Sequence, residues 1–418
     1  MRSYISRTQG LLRQMSWGKT FAALKYRNYK LWFRGQLISL MGSWMQATAQ
    51  GFLIYQLTHS PAYLGYVAFA SGIPTWIFML YAGVIADRIP RRTVLIITQT
   101  AMMILAFILA SLTFLGLVKP WHILLLAFGL GVANAFDAPA RQAFVNEMVD
   151  IEDMTNAIAL NSAMFNTATA VGPALAGIIY ALVGPAWCFT INGLSFIAVI
   201  VALLLMKLRP QVPRPRGAST LAELKEGLHY VLTHRIVRTL VSLILVVSLF
   251  GMAFATLIPA WAVKILNGNA KTNGFLQSAR GIGALFSALL IASLGRFRFK
   301  GKLLTLGTFS FPILLIIFSF IRWIPLSLLL LTGVGTSLIL IFNLANSFVQ
   351  TLTPDALRGR VMAIYSLFFF GSMPVGGLWA GFAAQHLGPP AAVIIGASVT
   401  LVFAFLVYLF VPKLRATY

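Results

Sequence analysis

The sequence predicts an all-α polytopic membrane protein, and three observations carry that prediction. Of its 418 residues 59% are hydrophobic and only 10% charged, with mean hydropathy +0.85, whereas a soluble chain carries about 25% charge. Apolar runs of roughly 20 residues, each long enough to cross a hydrocarbon layer of about 30 Å, recur from near residue 31 to residue 411. The bases, finally, are sorted by side. Twelve spans are read over 31–57, 61–86, 93–117, 121–142, 154–183, 186–207, 237–263, 273–295, 302–321, 325–350, 360–386 and 390–411. With the N-terminus inside, 26 of the 32 Lys and Arg fall on that side, against Lys119, Lys264, Lys271 and Arg322 on the other. Arg34 and Arg280 are read as lying within spans near their ends. Such a bias predicts that both termini are cytoplasmic. It also reads the formal charge of +23 as a topology signal and an attraction to anionic lipid at the cytoplasmic face, not as nucleic-acid binding.

Residues 1–30 lack the compact apolar core and small-residue site of a cleavable signal. Their apolar residues interleave with bases, as in a basic amphipathic segment lying on the membrane face. Span 1 carries Gln36, Ser39, Ser43, Gln46 and Gln50, whose spacing of three, four, three and four puts them on one helix face. Two readings stand: hydrogen bonding between helices, or the wall of a water-filled cavity. Between spans 2 and 3 the charged turn Gly83-Val-Ile-Ala-Asp87-Arg88-Ile-Pro90-Arg91-Arg92 sets one acid beside three bases.

Span 4 ends in Asn134-Ala-Phe-Asp137-Ala-Pro139-Ala-Arg141. Asp137 and Arg141 stand one turn apart in the favourable order for an ion pair. Asp137 is the acid set deepest in any apolar run, so it is a candidate for proton coupling, with a structural pair to Arg141 as the competing reading. In span 5, Gly172, Pro173 and Gly177 predict a bend at a packed interface. Residues 208–236 form the one long polar stretch inside the chain. Its Pro-rich start leads into a capped amphipathic helix from Ser219. This linker divides two units, 31–207 and 237–412, with 413–418 as a cytoplasmic tail.

The two units are related. A shift of 204 residues superposes Phe144-Val145 on Phe348-Val349, Ser162 on Ser366, Val171-Gly172 on Val375-Gly376, Ala176-Gly177 on Ala380-Gly381 and Gly184-Pro185 on Gly388-Pro389. That predicts a duplicated six-helix bundle with a substrate site where the two copies meet, near the bilayer midplane. On span 10, Thr332, Thr336, Asn343, Asn346 and Gln350 follow one face, as the stripe on span 1 does. Cavity candidates are therefore Gln36, Ser43, Gln46, Gln50, Asn134, Thr336, Asn343 and Asn346. One cysteine, Cys188, and five scattered histidines leave no metal-ligand pattern. No cofactor motif or catalytic set is present, so an enzyme is the least favoured class.

These features together resemble the major facilitator superfamily. Gly83, Asp87, Arg88, Arg91 and Arg92 match its loop signature, with Pro90 where glycine is usual. Gly172-Pro173 with Gly177 partly matches the span-5 motif of its exporters, since Ala168 and Ala176 replace expected glycines. Three stretches are similar to its secretion-effector branch of siderophore and macrolide exporters: Ala23 to Tyr29 running on to Gln36 and Gln46, Phe136 to Gln142, and Thr353 to Arg360. The resemblance implies a major facilitator fold and a monomer in the bacterial inner membrane, working by alternating access. It implies that Asp87 latches one state against the N-terminus of span 11. It also implies export of an amphipathic small molecule (drug, siderophore or other secondary metabolite), exchanged for protons. The few buried charges suit a neutral or weakly charged substrate. The alternatives are a lipid or lysolipid transporter of the same fold and a non-transporting membrane receptor.

Overall fold

Because a bilayer offers no partner for a backbone N–H or C=O, apolar runs of this length are driven into helices. The computed structural model describes residues 21–208, 220–294 and 299–416, and a few helical side chains, 79–80, 82–88 and 220–224 among them, are likewise outside the description. Among the described residues there is no strand. The long helices are α1 (Arg27–Thr58), α2 (Pro61–Arg88), α3 (Arg91–Phe114), α4 (Pro120–Phe144), α5 (Met154–Val183), α6 (Pro185–Leu205), α7 (Arg235–Val246), α8 (Ala270–Leu294), α9 (Lys300–Phe320), α10 (Ile324–Leu352), α11 (Asp355–Leu387) and α12 (Pro389–Phe410). From Arg91 onward, ten helical stretches among the described residues are long and apolar enough to cross a membrane.

The element bounds follow the expected spans within a few residues, and the departures have local causes. The helix beginning at Arg235 does not continue as α. It passes through a π turn (Val247–Gly251), a 3-10 stretch (Met252–Leu257) and a second π turn (Trp261–Ile265). Pro259, which has no N–H to donate, lies inside this irregular stretch, and Gly251 presses against the ring of Phe311. The proposed amphipathic segment before residue 21 lies outside the described residues, as do the linker 209–219 with the Ser219 cap and residues 295–298. What remains of the linker, the helix Thr220–Thr233, is docked on the bundle. Glu226 pairs with Arg360 and the Tyr230 hydroxyl donates to the Leu352 carbonyl at 3.1 Å.

At the other end of the N-terminal unit, a 3-10 turn (Ala22–Lys25) is tied down before α1 begins. Lys25 Nζ lies 2.6 Å from Asp153, and that carboxylate holds the ammonium above its ordinary value. The tie is complete at neutral pH; it is lost as pH rises through the raised ammonium value or falls through the lowered Asp153 value.

The largest buried apolar cluster is drawn from residues 231–414. Separate clusters fill α1–α6, one of them reaching across to Ala260. Between α1–α6 and α7–α12, the close approaches are α2 on α11 and α5 on α8. On the first, a Cβ at Gly72 would stand 2.0 Å from Pro374 Cγ, and the Trp76 indole donates to the Gly371 carbonyl at 2.9 Å. On the second, a Cβ at Gly274 would stand 2.4 Å from the Pro173 carbonyl oxygen.

We call the end that carries Ala22, the turn at 89–90 and residue 416 the basic end, and the opposite end the far end. Among the described residues, the named hydrogen bonds that cross between the two sets of helices are Thr48–Gln277, Ser60–Gln385 and Trp76–Gly371. All three lie at mid-depth or in the far half. Toward the basic end Phe165, Asn343, Gln350 and Phe370 are exposed.

Candidate functional site

A cavity of about 260 Å³ opens among α1, α3, α4, α5 and α6. From α1 it takes Gln36, Ser39, Ser43 and Gln46, four of the five stripe residues, together with Trp44. These four residues share one wall of the cavity. The wall is also hydrogen-bonded: the Asn192 amide of α6 donates to Gln46 Oε1 at 2.6 Å. Trp44 stands edge-on to Phe165 of α5, ring centroids 5.8 Å apart, and Met102, Leu130 and Phe196 complete the apolar lining. The oxygens Gln36 Oε1 and Gln99 Oε1 are buried without a protein donor.

Asn134, Asp137 and Arg141 enter the cavity from α4, at positions i, i+3 and i+7 of one face. Asp137 is 1% exposed. Its Oδ1 accepts from Thr98 Oγ1 and from Gln99 Nε2, both at 2.9 Å. Its Oδ2 stands 3.4 Å from Arg141 Nε, and Arg141 is itself 27% exposed. A carboxylate in so apolar a setting is tolerated only with such partners. Two of them, Thr98 and Gln99 on α3, were missed by sequence reasoning, because only the register of α3 against α4 reveals them. Asn192 was missed for the same reason.

The remaining candidates do not converge here. Gln50 is buried one turn beyond the cavity and does not line it. The Thr336 hydroxyl donates to the Gly283 carbonyl at 3.1 Å and to the Thr332 carbonyl at 2.9 Å, so it ties α10 to α8. Asn343 is exposed, and Asn346 accepts from Gln350 Nε2 at 2.6 Å; both lie on the basic half of α10. On α5, Gly172 packs on Trp44 and Met41 of α1, and Gly177 packs on Ala270 and Gly274 of α8. Pro173, between them, sits at an interface with both. The side chains of Gly83, Asp87 and Arg88 lie outside the described residues. Arg91 reaches Glu147 at 2.7 Å and the Ala143 carbonyl. Arg92 donates to the Leu204 carbonyl at 3.0 Å, where a cation meets the negative end of α6.

One expectation is corrected outright. Arg280 is not near a span end: α8 begins at Ala270 and ends at Leu294, which puts Arg280 close to its middle. Among the described residues no group of three or more His, Cys, Asp or Glu is placed to hold a metal.

Comparison with known proteins gives a consistent result. The family model described as "Transmembrane secretion effector" matches residues 18–417. The Staphyloferrin A transporter of Staphylococcus aureus is 25% identical over 383 residues, 90% of this chain and 96% of the relative. The Multidrug efflux pump Tap of Mycolicibacterium fortuitum is 26% identical over 387 residues, 90% and 93% of the two chains. The crystal structure of the nucleoside transporter NupG superposes with a TM-score of 0.69 at 16% identity, covering 91% of this chain and 96% of that one. This last likeness concerns the fold alone.

Proposed function

The chain belongs to the transmembrane secretion effector family of major facilitator transporters, and on that premise we propose that it exports an amphipathic small molecule by alternating access. It is a multi-pass membrane transporter and not an enzyme. The observation that carries the export reading is the cavity among α1, α3, α4, α5 and α6. A wall that joins Trp44 and Phe165 to Gln36, Gln46, Asn134 and Asp137 suits a ligand with an apolar body and a few polar groups. The names of the relatives, a siderophore transporter and a drug pump, point to the same class.

In this reading α1–α6 and α7–α12 are two six-helix bundles of a twelve-span chain in the bacterial inner membrane. The basic end faces the cytoplasm by the charge rule, with both termini there and anionic lipid against its bases. The contacts at mid-depth and in the far half then describe a state closed to the outside and open to the cytoplasm. Asp87 latches the opposite state against the N-terminus of α11, an interaction worth about 0.3–1 kcal/mol at an exposed helix end. Asp137 is the site where the counter-transported proton binds, and the functional unit is a monomer.

The test is dye accumulation in inside-out vesicles driven by an inward-acid proton gradient. Export in the cell corresponds to uptake by such vesicles. The expected result is uptake of an amphipathic aromatic dye that a protonophore abolishes and vector-only vesicles lack. Equal uptake by vector-only vesicles overturns the reading. Within the same assay, Trp44→Ala removes the aromatic edge that faces Phe165. It is expected to raise the half-saturating dye concentration about tenfold, the effect of removing roughly 1.4 kcal/mol of contact, with folding unchanged.

A further inference from the structure

Arg280 has no role in the mechanism above, and its setting is unusual. A charged side chain at the centre of a membrane helix is costly, faces the protein interior and marks a functional path. Arg280 sits close to the middle of α8 and is half-buried. The lipid-facing stripe of α8 is marked by exposed Phe275, Ile282, Phe286 and Leu289. At about 100° per residue, Arg280 falls on the opposite face, in line with Asn273 and Gln277. That face meets α1, where Thr48 donates to Gln277 Oε1 at 3.4 Å. The next residue, Gly281, packs on the Thr169 carbonyl of α5, one turn from Phe165 of the cavity wall.

Among the described residues Arg280 has neither an ion-pair nor a hydrogen-bond partner. The chain has only nine acids, and most are engaged elsewhere. Asp137 is held by Thr98, Gln99 and Arg141, Glu147 by Arg91, and Asp153 by Lys25. Glu226 is held by Arg360 and Asp355 by Arg358, while Asp150 accepts from Tyr26. Asp87 and Glu223 are at the basic end of the chain's path, and Glu152 is exposed there. The guanidinium keeps its charge at every physiological pH, so its counter-charge has to arrive from outside the chain.

We propose that Arg280 is the anchor for an anionic group on the transported molecule, and that the substrate is an amphipathic organic anion carrying a carboxylate. This rests on the export reading and narrows it. The sequence alone suggested a neutral or weakly charged substrate. The guanidinium fork matches a carboxylate with two parallel hydrogen bonds. Trp44 of α1 and Phe165 of α5, the latter one turn from the Thr169 carbonyl on which Gly281 packs, supply the apolar contact for the rest of the molecule.

The test uses the purified full chain in detergent and two dyes of one ring system: anionic carboxyfluorescein and cationic tetramethylrhodamine ethyl ester. Binding is read by fluorescence anisotropy in gluconate and in chloride buffers. The unmodified chain is expected to bind the anionic dye more tightly. Arg280→Gln is expected to weaken that binding at least ~30-fold, the range seen when one member of a desolvated charge pair is removed, and to leave the cationic dye unaffected. Arg280→Lys, which keeps the charge and loses the fork, is expected to fall between.

Equal binding of carboxyfluorescein by the unmodified chain and Arg280→Gln overturns the proposal, as does no binding by the unmodified chain. A difference that exists in gluconate and vanishes in chloride assigns Arg280 to an inorganic anion and overturns it too. Monodisperse elution of each variant separates these outcomes from misfolding. Because binding is read without vesicles, a failure of the export reading, seen as absent transport of both dyes, is distinct from a failure of this one.

Discussion

Asp137→Asn is expected to abolish proton-driven dye uptake in inside-out vesicles, a loss of more than about tenfold, while the protein is still made and still binds dye. The substitution is nearly isosteric, and Oδ1 can keep its acceptor role toward Thr98 and Gln99. What it loses is the charge beside Arg141 and the capacity to take up and release a proton. A purely structural role predicts a different pattern. Removing one partner of a buried ion pair costs about 3–5 kcal/mol, but Arg141 is 27% exposed and can turn its charge to water, so the cost here is smaller. The double variant Asp137→Asn with Arg141→Gln separates the two roles. If Asp137 only neutralises Arg141, the double variant regains transport. If Asp137 carries the proton, the double variant regains melting temperature and stays inactive. Transport by either variant at the unmodified rate rules out the coupling role.

How much of this was readable beforehand differs by level. Helix positions were, because an apolar run of membrane length has one way to satisfy its backbone. The irregular course from Val247 to Ile265 was not, since its length and hydropathy match those of an ordinary span. Within the site, period alone picked out the α1 stripe and Asp137. A helical period states which residues share a face, but not what stands opposite. The α1 and α10 stripes each keep to one helix face, yet Gln36 and Gln46 meet open space and Asn192, whereas Thr336 meets the Gly283 carbonyl.

Arg280 was misjudged for a related reason. A span start placed at 273 put it two turns from an end, and the helix in fact starts at Ala270. Gly184 and Gly388 both take positive φ, 92° and 85°, ahead of a helix-starting proline. Gly172 packs on α1 and Gly376 packs on Leu249, just past α7. Gly177 packs on the far end of α8, and Gly381 on the far end of α2.

Those last contacts lead to the second large effect. Gly274→Val is expected to block transport and to trap the chain open at the far end. A Cβ there would stand 2.4 Å from the Pro173 carbonyl oxygen and 2.9 Å from the Gly177 Cα. Both are backbone atoms of α5, so no side chain can swing aside. Repacking a tight contact around added methyl groups usually costs about 1–3 kcal/mol. On the proposed mechanism the Asp87 latch, about 1 kcal/mol, already favours the opposite state, so a penalty of that size adds to it and empties the far-end-closed state. The penalty falls only on the state in which α5 and α8 touch. The readout is labelling of a cysteine placed at Gln56, in the far-end cleft of about 430 Å³ lined by Tyr55, Tyr180 and Asn269. The one native cysteine, Cys188, is buried and is replaced by serine as background. Labelling by an impermeant maleimide is expected to rise in Gly274→Val and dye uptake to fall. Gly359→Ala, whose added Cβ meets nothing within 4 Å, serves as the control and is expected to change neither. Unchanged labelling with full transport in Gly274→Val would mean that the α5–α8 contact does not govern access from the far end.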